Sequence, residues 1–542
     1  MTARGLTELP ICDALLLAPA GCGKTDQLAQ FAAAAIDRQL IRLPRQILGL
    51  TFSNKAKANL QARIRKHVGP TTAQRLVSVT NFHGFAFRVY RSHANVIGAD
   101  PEVLPPQRGW LLRLQRRVGD EHGLSPGVIS SSVRAAKLES PLEVDPLEVL
   151  IANRAEAAIA YEQELRAAGR IDFDDLIRLG ARVLSNPAVL RLYRERFSLV
   201  LIDEAQDLTR MQYQLVEGLT LGRSVFAGDK AQGIFRFAGA EPDWVFARLQ
   251  QRDPVIIELT QSHRSSPAVL RAVSALAVAL GGVELEAAEP ERWAGKGHVH
   301  VLRSADVAAE ATAVCNLLRR WIAGHPGDSV GVIARTANRR KFIDQAIEDQ
   351  GIAAERWDYP IHSPLIVSLL RRHTPEVLAM RSDDQGRLQE LYLRCLVDLA
   401  DDDVDGQDEL IEAAELLETL LDETTLENAI GNLRVVGDPE DPASPGIHLL
   451  NGHLGKGQQF TRVIVVGMEE AFIPNYPAMA SGDTQQIRDE LAVLHVMASR
   501  AQEDLVFTVA ERVPTTSGGL KTREPSRWLP LVEPFASPMP EL

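Results

Sequence analysis

Residues Leu15-Leu16-Leu17-Ala18-Pro19-Ala20-Gly21-Cys22-Gly23-Lys24-Thr25 constrain this chain more than any other stretch. Three leucines read as a short buried strand of a parallel sheet, a loop of small residues follows, and Asp26-Gln27-Leu28-Ala29-Gln30-Phe31 opens a helix. That order makes a phosphate cradle, because glycines let backbone N–H groups turn onto an anion and the helix N-terminus adds partial positive charge. Ala20, Gly21, Cys22 and Gly23 would wrap a nucleotide's phosphates, with Asp26 just beyond them. Lys24 would reach the β- and γ-phosphates of ATP, and the Thr25 hydroxyl would hold Mg²⁺. The strict pattern asks for glycine where this chain has Ala18.

Strands and helices continue to alternate around that loop. Gln46-Ile47-Leu48-Gly49-Leu50 and Val77-Ser78-Val79 read as further strands. So do Phe197-Ser198-Leu199-Val200-Leu201-Ile202, Ser224-Val225-Phe226-Ala227-Gly228 and Val255-Ile256-Ile257-Glu258-Leu259. Repeated buried strands with helices between them imply an α/β, doubly wound parallel sheet with its chemistry at the strands' C-terminal ends. Residues 88–166 lose the alternation and read as a helical insertion. Past a linker zone at 281–297, His298–Leu302, Val330–Ala334 and Arg462–Gly467 build a second α/β unit, interrupted by an acidic helical block at 359–445. A chain of 542 residues needs three or four domains or subdomains.

Net charge is −12, which on its face disfavours a nucleic-acid partner. Its distribution points the other way: residues 351–450 hold 22 acids and 7 Lys or Arg, leaving the rest of the chain at +3. Residues 51–100 carry eight Lys or Arg against Asp100 alone, a local basic surface. Cys12, Cys22, Cys315 and Cys395 have no zinc or cluster spacing and read as reduced thiols. No apolar run reaches membrane-spanning length and the N-terminus has no signal pattern, so no membrane association and a cytoplasmic location are expected. The triplet Asp401-Asp402-Asp403 reads as a solvated helix cap rather than a metal site.

Asp203 and Glu204 end an apolar strand and are followed by Ala205-Gln206-Asp207. A P-loop ATPase needs one acid on Mg²⁺ and one group to polarise the attacking water, and these two fit in that order.

Several elements, in order, resemble those of UvrD/Rep/PcrA-type superfamily 1 DNA helicases. Thr51-Phe52-Ser53-Asn54-Lys55-Ala56 is similar to the family's T-F-T-N-K-A segment, and Thr80-Asn81-Phe82-His83-Gly84-Phe85 to its T-x-H-x-F segment. Ile171-Asp172-Phe173-Asp174-Asp175-Leu176 resembles I-D-F-D-D-L, and Asp203-Glu204-Ala205-Gln206-Asp207 the D-E-x-Q-D box. Gly228–Ala240 is similar to G-D-x-x-Q-S-I-Y-x-[WF]-R-G-A. Further on, Leu259–Ser265 resembles L-x-x-N-Y-R-S, His453–Phe460 resembles H-x-x-K-G-L-E-F, and His495–Ala501 resembles Y-V-A-x-T-R-A.

The resemblance implies two RecA-like P-loop NTPase lobes, parallel sheets flanked by helices, each with a mainly helical insertion. The first lobe would be 1–87 with 167–275, its insertion 88–166, the second lobe 276–358 with 446–542, and its short acidic insertion 359–445. It implies that Gln232 senses the γ-phosphate, that Arg264 and Arg500 are arginine fingers, and that Gly457 and Gln459 lie on the nucleotide. Single-stranded DNA would meet Phe52, Asn54, Lys55, His83, Phe235, Phe237 and His453. The resemblance implies an ATP- and Mg²⁺-dependent translocase moving 3′→5′ on single strands and at single/double-strand junctions, serving repair, recombination or phage defence.

Some positions depart from the family pattern. Asp26 stands where arginine is usual, His263 replaces the adenine-stacking tyrosine, Gln459 the ribose-holding glutamate and Ala238 an arginine; no adenine-reading glutamine precedes the loop. The acidic insertion is either a solvated helical spacer or a docking surface for a partner protein such as a nuclease or repair factor. A rival reading is therefore an ATP- and DNA-sensing subunit that gates a partner nuclease without processive unwinding.

Overall fold

In the computed structural model, the leucine run forms strand β1 (Ala14–Leu17), whose neighbours on either side run parallel to it. The structure describes residues 5–52, 54–103, 108–236, 239–357, 360–361, 363–399, 410, 413–414, 417, 421, 425–431, 433–435, 443–453, 458–515 and 519–539. Its contacts fall into two units, Met1–Ala18 with Gly23–Leu259 and Pro19–Cys22 with Thr260–Leu542.

The first unit is built on a six-stranded sheet. Besides β1 it contains β2 (Gln46–Thr51), β3 (Val77–Asn81), β4 (Phe197–Ile202), β5 (Ser224–Gly228) and β6 (Val255–Glu258), in the order β3-β2-β4-β5-β1-β6 and all parallel. Helices α1 (Lys24–Asp37), α2 (Asn54–Val68), α3 (Pro70–Leu76) and α4 (Phe82–His93) connect the early strands. Central strands covered on both faces are apolar throughout rather than alternating, which is why β4 is buried along its whole length. Leu48, Leu50, Val200, Ile202 and Phe226 pack in one core with Phe82 and Phe85 of α4. The sequence reading of β6 as a buried strand needs correction: Val255 and Ile256 are exposed, because β6 lies at the sheet's edge.

Between α4 and the resumption of the sheet stand α5 (Arg108–His122), α6 (Pro126–Leu138), α7 (Pro146–Ala152) and α8 (Glu156–Ala167). They share a core of their own, including Leu114, Val118, Val133 and Tyr161. Asp172 then starts α9 (Phe173–Leu184) with a reciprocal cap in which its side chain and that of Asp175 each accept a backbone N–H. The same two acids, with Glu162, surround the Lys137 ammonium at 2.8, 2.7 and 2.8 Å. Three carboxylates this close resemble a cation site, and a lysine fills it. Helices α10 (Pro187–Arg196), α11 (Arg210–Thr220) and α12 (Pro242–Gln250) complete the unit.

The second unit opens with a short parallel pair, β7 (Gln261–Ser262) and β8 (Glu286–Ala287), so the stretch read as a linker carries paired backbone. Its main sheet is also six-stranded and parallel, comprising β9 (Val299–Ser304), β10 (Ser329–Ala334), β11 (Ala354–Arg356), β14 (Gly446–Asn451), β15 (Phe460–Val466) and β16 (Ala501–Ala510) in the order β11-β14-β10-β15-β16-β9. Within the 359–445 stretch, the helices Pro364–Leu378, Asp384–Val397 and Leu426–Gly431 bury Leu370, Leu391 and Leu426 together. A two-residue pair of strands, β12 (Pro360–Ile361) and β13 (Arg434–Val435), lies in the same stretch. Asp401-Asp402-Asp403 and much of the surface on which a partner was expected lie outside the described residues.

Candidate active site

The phosphate loop starts where β1 ends. Ala18 N–H donates to the Gly228 carbonyl at 3.1 Å, which fixes the loop's first residue to β5. Gly23 has φ +77° and precedes the first residue of α1, a conformation that costs a residue with a Cβ about 1–2 kcal/mol. Gly21, at φ +84°, is required twice over, since a Cβ there would lie 2.6 Å from Arg264 Cβ and 2.7 Å from Ser262 Oγ. Gly21 also accepts from His263 N–H at 3.1 Å, and Cys22 N–H turns back to the Pro19 carbonyl at 3.2 Å. The amides that follow are those of a 14-residue helix whose N-terminal dipole favours an anion.

At that N-terminus Lys24 is ion-paired with Glu204 and lies 3.8 Å from Asp203. Burial opposes the lysine charge, but Glu204 and Asp203 outweigh it and raise its pKa. Thr25 Oγ1 donates to Asp203 Oδ2 at 2.9 Å. Burial pushes the Asp203 carboxyl up to about 6, against the opposing pull of Lys24 and the Thr25 hydroxyl. A hydroxyl and a buried carboxylate in contact, both offering oxygen, are a donor set suited to Mg²⁺. Asp26 is turned to other work: it accepts from Gln30 at 2.6 Å and contacts His67 at 3.2 Å and Arg63 at 3.6 Å. Burial would raise its pKa, yet the His67 and Gln30 hydrogen bonds prevail and lower it.

Glu204 has left-handed backbone, φ +56° and ψ +48°, rare for a residue with a side chain. Strain of this kind persists where the surroundings over-determine it, commonly at reacting groups. Its N–H donates to Asp203 Oδ1 at 3.0 Å, and its carboxylate accepts from the Gln206 amide as well as from Lys24. Gln206 Oε1 in turn accepts from Asp229 N–H at 3.0 Å, and Asp229 Oδ2 accepts from Gln232 Nε2 at 2.6 Å. A continuous polar chain therefore links Lys24, Glu204, Gln206, Asp229 and Gln232 across the ends of β1, β4 and β5. Two of its members, Gln206 and Asp229, had no role in the sequence reading. Their signal was present in the D-E-x-Q-D and G-D patterns, but nothing in either pattern says that the two touch.

Two expected base-stacking residues meet. The rings of Phe52, just past β2, and Phe235, past β5, stack at 6.0 Å with 6° between their planes. Phe52 is 39% exposed, so this platform reaches the surface. Phe237, and the side chains of Asn54 and Lys55, lie outside the described residues. His83 sits in the first turn of α4 with its ring edge-on to Phe173 at 5.8 Å, and burial lowers its pKa. A neutral imidazole there can offer one N–H but no charge.

In the second unit, Arg264 Nη1 donates to the Ser499 carbonyl at 3.4 Å. Arg500 is buried, and it donates to the carbonyls of Val496 at 2.8 Å and Gln458 at 3.3 Å and to Ser499 Oγ at 3.1 Å. Ser499 thus receives both arginines. Gln459 accepts from Gln502 at 3.1 Å, and Gly457 lies outside the described residues. His453 falls to about pKa 4, through burial first and then the adjacent Arg335, whose guanidinium is bound to Glu490 at 2.6 Å.

Comparison with known families decides what kind of protein carries these sites. Residues 9–252 match the UvrD/REP helicase N-terminal domain, and residues 366–512 match the UvrD-like helicase C-terminal domain. The chain belongs to the UvrD-like helicases. It is 25% identical to the ATP-dependent DNA helicase UvrD2 of Mycobacterium tuberculosis, over 98% of this chain and 81% of that relative. To the ATP-dependent DNA helicase PcrA of Staphylococcus aureus it is 23% identical, over 96% of this chain and 84% of that relative. This UvrD-like helicase has two parallel sheets, as two RecA-like lobes require. Among its described residues, no helix is long and apolar enough to cross a membrane.

Proposed function

We propose that this UvrD-like helicase hydrolyses ATP to move 3′→5′ along single-stranded DNA and to open duplex at single/double-strand junctions. The observation that carries the reading is the shared edge of the first sheet. Lys24, Thr25, Asp203, Glu204 and Gln232 follow the C-terminal ends of strands of the same sheet whose β2 and β5 lead on to Phe52 and Phe235 of the stack. Nucleotide chemistry and a stacking platform on one edge are what coupling of hydrolysis to stepping needs.

The ion pair supplies the order of events. An incoming triphosphate competes for the Lys24 ammonium, and Glu204, relieved of that partner, is left on Gln206 to orient water toward the γ-phosphate. Gln232, held by Asp229, is the candidate sensor of the γ-phosphate. Bound Mg²⁺, held by Thr25 and Asp203, would neutralise charge that builds on the phosphoryl oxygens. Arg264 and Arg500 are the candidate fingers of the second unit, and engaging phosphate requires their guanidiniums to give up carbonyl partners. With Asp26 and His263 where arginine and tyrosine are usual, tolerance of nucleotides other than ATP is expected. A cytoplasmic site of action is part of this proposal.

Strand-displacement assays on duplexes with a 3′ or a 5′ tail test the direction. The proposal expects ATP-dependent opening from the 3′ tail. Opening from the 5′ tail alone contradicts it.

A further inference from the structure

At the opposite, entry ends of the strands of the first sheet lies an open groove of about 290 Å³, lined by Arg45, Arg191, Arg194 and Arg223 with Pro187 and Leu190 on its apolar wall. Arg45 immediately precedes β2, Arg194 lies in the last turn of α10 leading into β4, and Arg223 immediately precedes β5. Strands entering in parallel thus bring together arginines that are far apart in sequence. The phosphate loop and the Phe52–Phe235 stack belong to the other ends of the same strands.

Two of the four arginines have structural work. Arg194 donates to the Leu221 carbonyl at 3.1 Å and also to that of Gly218, and Arg223 donates to the carbonyls of Arg194 at 2.7 Å and Phe197 at 3.2 Å. Such bonds hold α10 against α11 and leave the positive charges uncompensated. Arg45 and Arg191 are exposed, and among the described residues neither forms an ion pair. The lining contains one acid, Glu195, and no ion pair among the described residues joins it to these arginines. Asp13, an acid just before β1 at this end of the sheet, is occupied by the Gly222 N–H, the Arg223 N–H and the Ser224 hydroxyl. Arg223 registers the crowding: its pKa is lowered, first by burial and then by Arg194 and Arg45. Four guanidiniums and one acid on an open groove, in a chain of net charge −12, are a segregated positive field.

We propose that this groove is a second DNA contact, gripping the sugar–phosphate backbone away from the strand on which the motor steps. Guanidinium forks match phosphate oxygens two at a time, and every cation in the lining is arginine. No aromatic side chain lines the groove, so it reads phosphate rather than bases. The inference rests on DNA being the polymer that the protein works on.

The test uses the full chain and a double variant, Arg45→Ala with Arg191→Ala, since neither side chain holds the fold. Binding of a long tailed duplex is followed by fluorescence anisotropy across a salt series. Hydrolysis of ATP is measured separately with a saturating short oligo(dT). The proposal expects roughly tenfold weaker duplex binding in the variant and a salt slope shallower by about two, one for each lost phosphate contact, with oligo(dT)-saturated hydrolysis unchanged. An unchanged affinity and slope overturns it. Loss of polyglutamate binding in the variant without loss of duplex binding also overturns it, and would give the groove to an acidic protein segment. If the wild-type protein shows no stimulation by oligo(dT) while the variant still loses duplex affinity and slope, the translocase reading fails and the groove stands.

Discussion

The Lys24 ammonium rests on the Glu204 carboxylate, so the group proposed to receive phosphate and the group proposed to orient water neutralise one another. On that proposal, neither acts until the pair parts. Glu204 is held from the other side by Gln206, which keeps its carboxylate at the end of β4 when Lys24 leaves. In the proposed mechanism, the contact that nucleotide binding breaks is also the one that would suppress idle hydrolysis.

Glu204→Gln removes the carboxylate and keeps the shape. ATP binding should survive, because Lys24 is freed for phosphate, while the hydrolysis rate falls by about 10²-fold or more. Single-turnover hydrolysis alongside equilibrium nucleotide binding checks this. Near-normal turnover would move the water-orienting role to another residue.

Phe52→Ala breaks the stacked pair at its exposed member. Affinity for single-stranded DNA should drop by about 1–3 kcal/mol, with nucleotide binding in the absence of DNA unaffected. Oligonucleotide titrations read by anisotropy measure it. Equal loss of both affinities would show that Phe52 serves the core instead.

Asp175 provides a prediction about stability and pH. Burial comes first among the causes that lift its pKa to about 8, followed by repulsion from Asp172, against the pull of Lys137. With an ordinary value of 3.8 in the unfolded chain, the folded state holds an extra proton between about pH 4 and pH 8. Its contribution to stability is therefore complete at the acid end of that window and is lost as pH rises through it, by up to about a tenfold fall in the folding constant per unit. Asp175→Asn leaves Lys137 between Glu162 and Asp172 and should flatten the slope. Denaturant titrations at several pH values compare the two, and parallel profiles would refute the assignment.

How much of this was written locally in the chain follows from how each feature is made. The phosphate loop, the Asp203-Glu204 strand end and most strand segments along the chain were legible because each is a contiguous pattern with its own physics. The helical insertion was legible as a loss of alternation. Contacts between distant segments were not: Gln206 reaching Asp229, or Lys137 surrounded by Glu162, Asp172 and Asp175, depend on the fold bringing them together. Lys137 carries no local sequence signal of its own, since its three acids come from other helices and from the turn before α9. The burial of β6 was misread because an apolar run shows that a segment is a strand, not whether that strand is central or at an edge. Arginines 45, 194 and 223 are separately unremarkable, and parallel strand entry makes them a groove.

Steady-state ATP hydrolysis with and without single-stranded oligonucleotide, with Lys24→Ala as the control, tests the central claim most directly. Strong stimulation by DNA that vanishes in Lys24→Ala is the predicted result. Hydrolysis indifferent to DNA, or stimulation that survives loss of Lys24, would contradict it.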